Sequence, residues 1–383
     1  MPPPTQSPPF TIPSSPPVQW TPATVIPYVK IGMMVELSTI PLYLYAMYSV
    51  KPEGGAVGAG ARTRALLRGI VQQEMLHLSL AGNLLSALNG SMDLYAFGVV
   101  PRYPGEILVE KIPLNLDRAN KENLQCFLQI EASDTPPMTL PTHKSIGQFY
   151  NELQQGLNRL PDSAFAHNAD KQFSGMDFFD DQMTVITGKA SALKALTTIV
   201  EQGEGDVAVP DSHYTVFAQL YSDREAWVHY EVPKNPKTSD YKGRSTNDFV
   251  YKLSLAFDAG YCYMFQTIQR VWKTGRRADE IMLRMLLLRN VHVIMTHVLT
   301  PIANILVQQP LTNPTNGLVA APCFNYFPLN DNGTPRDPLA PAELHRVLVA
   351  AVSSARDASP SDQVRASLEH MRKYIDTKIK PST

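Results

Sequence analysis

Glu74 and His77 stand one helical turn apart in the apolar run from Ala65 to Ala81, which puts a carboxylate and an imidazole on one face that should be buried. Buried ionisable groups need partners, and a metal ion can serve both. Glu36 interrupts a second apolar run, Ile31 to Tyr45, and has no basic neighbour one turn away. Left unpaired, its charge would cost several kcal/mol. Further along, Glu201 and Glu204 sit where a helical segment ends at Gly203 and Gly205. Negative charge at a helix C-terminus opposes the dipole, so two carboxylates there want a cation. His213 follows after the break.

A carboxylate-bridged dinuclear centre in a four-helix bundle takes one Glu from each of two helices and a Glu-x-x-His pair from each of the other two. Here one helix offers Glu36 and the next offers Glu74 with His77. The second pair is split across the break, with Glu201 or Glu204 on one side and His213 on the other. Glu152 lies off the apolar face of its helix and ranks below these. Hard oxygen donors with only two imidazoles favour iron, as two ions, or manganese over copper and zinc, and open positions on such a metal bind dioxygen or peroxide.

Each residue also has a plainer reading. A lone Glu-x-x-His is common on helix surfaces, Glu36 could be satisfied by a hydrogen bond from Tyr43 or Tyr48, and Glu201 and Glu204 could be a solvated helix end. His213 could cap a helix or sit in the core. His143, His229, His292, His297 and His345 have no partner at ligand spacing, and Tyr150, Tyr214 and Trp227 read as core or pocket lining rather than radical sites.

The elements that must position these residues are helical. Residues 1–22 are rich in Pro, Ser and Thr and predict an extended arm. A first helix runs from Thr24 to Val50, with a kink expected at Pro41, and a second from Ala61 to Leu88, closed by Asn89-Gly90. The Gly-rich turn between them, Gly54 to Gly60, predicts antiparallel packing. From Ser91 to Pro141 the periodicity fails, which predicts a long crossover whose most strand-like piece is Phe127 to Ile130. A third helix covers Ser145 to Leu160 and a fourth covers Thr184 to Gln202, with helical structure restarting at Asp211 or Ser212. Past Pro233 come a polar loop, then helices over Asn247–Lys273 and Ala278–Val307, and a last amphipathic pair over Leu339–Arg356 and Ser361–Ile379. The expectation is an all-α protein: a four-helix bundle over 23–232 with a long crossover, and additional C-terminal helices over 233–383 layered on it.

Composition narrows the partners. The 383 residues carry a formal charge of -1, which gives no electrostatic reason to expect nucleic acid or an anionic membrane. Three cysteines at unrelated spacings, Cys126, Cys262 and Cys323, indicate neither a disulfide framework nor a thiolate zinc site. The N-terminus lacks the basic and apolar regions of a secretory signal, and no uncharged apolar run reaches the roughly 20 residues of a spanning helix. A cytoplasmic protein acting on a small-molecule substrate is expected, and self-assembly into a homo-oligomer stays open.

The motifs taken together are more specific than any one of them. Val35 to Ser49, Glu74-Met75-Leu76-His77, Ser145 to Tyr150, Ile199 to Gly205 and Ser212 to Phe217 resemble, in order and spacing, the ferritin-like domain of the iminophenyl-pyruvate dimer synthase family. The resemblance covers about residues 24–225, with one departure: Gln148 stands where the family tends to carry Glu. It implies a ferritin-like fold and an enzyme of violacein- or rebeccamycin-type pathways, which oxidatively couple two imines derived from an aromatic amino acid. The function expected is a non-haem, dinuclear iron oxidoreductase of specialised metabolism. Because members of those pathways have been regarded as haem proteins, a haem-dependent coupling enzyme is the alternative, and a non-catalytic iron-binding or structural protein is the rival from another class. Two geometric expectations follow: Glu36, Glu74 and His77 should converge on one point, and Glu204 and His213 should share one coordination sphere beside Tyr214 or Trp227.

Overall fold

The computed structural model describes residues 16–107, 112–132, 146–203, 212–312, 317–330 and 333–379. Most of the Pro-rich arm, together with His143, Glu204 and Asp211, lies outside the described residues. Helix α1 (Pro22–Ser49) begins with a reciprocal cap, in which the side chains of Thr21 and Thr24 each accept from the other's backbone, and has Pro22 in its first turn. It runs through Pro41 to Ser49 and is apolar on nearly every face, as a helix enclosed on all sides must be. Helix α2 (Ala59–Ala87) folds back against it.

The bundle is completed by α4 (Ile146–Arg159) and α5 (Lys189–Gly203). Helix α1 packs on α2 and α4, and α5 packs on α2 and α4, so the four close into a ring. The crossover between α2 and α4 holds an antiparallel pair, β1 (Gly105–Ile107) and β2 (Ile112–Leu114), with Gly105 opposite Leu114. It then forms α3 (Lys121–Ile130). The expected strand-like piece Phe127 to Ile130 is therefore helical. Asn120 caps α3 by accepting from the Asn123 N–H, and Leu124, Phe127 and Ile130 are buried along one face, a periodicity too short to separate from a strand without the cap. Helix α6 (His213–Ser222) starts at Ser212, whose hydroxyl accepts from the Thr215 N–H, and packs on α3.

A second layer follows: α7 (Phe249–Val271), α8 (Ile281–Val293), a π-helical turn over Ile294–Leu299, α9 (Thr300–Leu306), α10 (Pro341–Ala358) and α11 (Asp362–Lys378). Helix α10 lies against α7 and α11. The layer is keyed to the bundle at Gly82 of α2, where an added Cβ would stand 2.0 Å from the Trp272 ring. The Trp272 indole N–H donates to Asn83 Oδ1 at 3.1 Å beside it. Two helical stretches, Pro22–Ser49 and Ile281–Leu306, are long and apolar enough to cross a membrane by length and composition, and their apolar windows are 72% and 44% buried within this fold.

Candidate metal centre

One stripe of α1 carries Glu36, Thr39 and Tyr43, three or four residues apart, and faces a stripe of α2 carrying Gln73, Glu74 and His77. Glu36, Glu74 and His77 converge on one buried point, each at most 4% exposed. A second group forms beside it from Glu74, Glu131 and His213. Glu74 belongs to both, so the centre is two half-sites joined by a shared carboxylate.

In the first half-site His77 Nδ1 lies 3.4 Å from Glu36 Oε2. In the second, His213 Nδ1 lies 3.0 Å from Glu74 Oε1 and 3.5 Å from Glu131 Oε2. The halves mirror one another in their outer partners. Tyr150 on α4 donates to Glu36 Oε1, and Tyr43 donates to Glu131 Oε1, so each outer carboxylate has one oxygen fixed and the other turned inward. His77 Nε2 meets Gln202 Oε1 at 3.0 Å, and His213 Nε2 meets Gln73 Oε1 at 3.1 Å. An amide oxygen accepts, so each Nε2 carries a hydrogen and each Nδ1 is the ring nitrogen that faces the centre. Thr39 Oγ1 donates to Glu74 Oε2 at 2.7 Å and breaks the symmetry.

The electrostatics call for positive charge. Burial, with Glu36 and Glu131 nearby, pushes Glu74 up to about 7 in spite of His213. Burial works against the His213 cation, but Glu131 and Glu74 outweigh it and raise that imidazole to about 10. Glu36 feels the same burial, and its contacts with His77 and Tyr150 still bring it below the usual value.

The donor set fits a metal ion. His213 Nδ1 is fully buried and makes no hydrogen bond, although carboxylate oxygens of Glu74 and Glu131 lie 3.0 and 3.5 Å away. Donors about 2.1 Å from a six-coordinate ion stand about 3 Å apart in cis positions, close to the spacings here. A cavity of about 20 Å³ adjoins the first half-site, walled by Glu36, Glu74, His77, Glu131, Tyr150 and Gly203 among others.

The structure thus brings Glu36, Glu74, His77 and His213 together. It does not bring in Glu201, which is exposed. Ile199 and Gly203 form the buried side of α5, and a residue two positions from each points the opposite way, so Glu201 cannot turn inward. Glu204 lies outside the described residues, and the expectation that it shares a sphere with His213 goes with it. Glu152 is half-buried and not in either group. Tyr214 and Trp227 do not wall the cavity; Tyr150 does.

Glu131 is the residue the sequence reading missed. It follows directly on the last turn of α3, so it is a carboxylate at a helix C-terminus, the same signal that drew attention to Glu201 and Glu204. It was hidden because the helix before it was hidden. The plainer reading of Glu36 named the wrong tyrosines: Tyr150 is its donor, while Tyr43 serves Glu131 and Tyr48 pairs with Thr300 at 3.1 Å.

Two known proteins are similar to this chain. Dichlorochromopyrrolate synthase of Lentzea aerocolonigenes is 23% identical over 360 residues, covering 76% of this chain and 35% of its own length. The chain therefore spans about a third of the relative that it matches. A crystal structure of a ferritin-like protein from Caulobacter vibrioides aligns with a TM-score of 0.49 and 21% identity, over 73% of this chain and 96% of that one. The ferritin-like family model matches residues 29–222, a span that contains every residue of the two half-sites. The chain belongs to the ferritin-like family.

Proposed function

We propose that this protein is a metal-dependent oxidoreductase with a carboxylate-bridged dinuclear iron centre, held by Glu36, Glu74 and His77 on one side and by Glu74, Glu131 and His213 on the other. The observation that carries the reading is the buried, unpartnered Nδ1 of His213 facing two carboxylates across the shared Glu74. Manganese would fit the same donors. Once bound, the metal supplies redox chemistry with dioxygen or peroxide. The protein's own part is positional: Tyr43 and Tyr150 fix the outer carboxylates, Gln73 and Gln202 fix the imidazoles, and the apolar wall of Val35, Ile130, Ile146 and Ile199 limits water at the centre.

The substrate proposed is a small, amino-acid-derived molecule that is oxidised or oxidatively coupled, in the cytoplasm and without nucleic acid or membrane. The family resemblance and the similarity to a synthase support that class. Metal analysis with an optical spectrum of the purified protein tests the reading. Two irons per chain, lost on His77→Ala or His213→Ala with helicity retained, is the expected result. An intense haem band would favour haem-dependent coupling, and a folded protein that takes up no metal would leave a non-catalytic one.

A further inference from the structure

We propose that Gln182, an exposed residue outside both half-sites, is a positioning residue for His77 and acts through the amide of Gln202. This rests on the metal-centre reading above. His77 faces the centre with Nδ1, and a metal bound there leaves the ring's hydrogen on Nε2, which can then only donate. Gln202 must therefore turn its oxygen toward the ring, as it does at 3.0 Å. Its Nε2 in turn donates to Gln182 Oε1 at 3.2 Å, so three side chains form one line of hydrogen bonds from the buried ring to the surface. An amide can present either its oxygen or its NH2, so the direction of the line is set at its ends. A metal on His77 sets it at one end, and an acceptor at position 182 closes the other.

An exposed side chain can do this only where its backbone is held, and the turn that carries Gln182 is held from both sides. Phe179 and Asp180 take left-handed backbone, at φ 66° and 47°, which is uncommon for residues other than glycine and persists only where the surroundings impose it. At Gly175 an added Cβ would stand 2.1 Å from the Asp180 carbonyl oxygen, so the segment closes tightly on itself. From the bundle, Asn83 on α2 donates to the carbonyls of Phe173 and Thr184 at 2.9 and 3.0 Å and clamps both ends of the turn. From the second layer, Arg284, only 1% exposed, donates to Asp177 Oδ2 at 2.9 Å, and Arg276 does so at 2.5 Å. His77 and Asn83 share α2, so the ring and the turn are fixed to one frame. The second layer thereby reaches the metal centre through an exposed glutamine.

Calorimetric titration of the metal-free protein with manganous ion tests this, at unchanged helicity and thermal midpoint. Gln182→Lys, which can only donate, should turn the Gln202 NH2 toward His77 and lower the affinity for one of the ions about three- to ten-fold, the worth of one hydrogen bond. Gln182→Glu, which can only accept, should bind at least as tightly as the wild type. The added charges also act on the ion through space, so both substitutions are repeated together with Gln202→Ala, where the difference between them should shrink. Wild-type affinity in Gln182→Lys, an equal loss in Gln182→Glu, or an undiminished difference with Gln202→Ala overturns the positioning role. A wild type that binds no manganese overturns the metal-centre reading itself and this inference with it.

Discussion

Replacing Glu74 with glutamine should stabilise the metal-free protein while abolishing its stabilisation by metal. Glu74 is 2% exposed, and its carboxyl is raised from the ordinary 4.5 to about 7. A carboxyl whose folded pKa is raised favours folding below its unfolded pKa and loses that contribution as pH climbs to the folded value. Between 4.5 and about 7 the loss amounts to about 3 kcal/mol, complete by pH 8. Glutamine escapes it. Its amide oxygen can accept from Thr39, while its NH2 group takes the place of the carboxylate oxygen that faces His213. The His213 cation loses one of its two carboxylates, which takes back part of the gain and leaves about 1–3 kcal/mol. Urea denaturation of chelator-treated wild type and Glu74→Gln at pH 5 and pH 8, with and without ferrous or manganous ion, measures this. The variant should be more stable at pH 8, nearly equal at pH 5, and unmoved by metal. A less stable variant at pH 8, or one that keeps the metal-induced shift, would refute the reasoning that Glu74 is a buried anion held for a shared cation.

The second layer contains another buried acid, Asp258, which burial raises to about 8 despite hydrogen bonds from Thr238 at 2.5 Å and the Asn325 N–H at 3.0 Å. By the same sign argument it costs about 4 kcal/mol at pH 7, so Asp258→Asn should raise the denaturation midpoint at neutral pH and lose that advantage near pH 4. Glu131→Ala should cut bound metal to one ion per chain or fewer by elemental analysis, while Glu201→Ala, on the outer face of α5, should leave it unchanged.

The long helices were legible because their signals are local. Glu36 and Glu74 stand out as charges inside apolar runs, and the turn at Gly54 to Gly60 lies between those runs. The centre's second half was only partly legible. His213 is announced by the Ser212 cap, but its partner Glu131 comes from a crossover whose Pro and Gly content masks a short helix. No local pattern says that Tyr150 will donate to Glu36 or that Gln73 will hold His213, because those contacts join residues 114 and 140 positions apart. Glu201 misled for a related reason. Its charge and its place near a helix end are visible in the sequence, but the rotation of α5 is fixed only by packing against α2 and α4.

The shared carboxylate has a consequence for how the centre is assembled. Thr39 and Glu74 are 35 residues apart, so the hairpin that joins them closes a short loop, whereas His213 must close a loop of 140 residues to reach Gln73. Loop-closure entropy therefore favours the first half-site in time as well as in probability. During synthesis the nascent hairpin would offer Glu36, Glu74 and His77 while Glu131 and His213 were still being made, so an ion captured then would already occupy one side of Glu74. The later helices would fold onto an anion already partly neutralised, which removes much of the repulsion they would otherwise have to overcome. The order of the ligands along the chain would thus make a bound metal a participant in folding as well as its product.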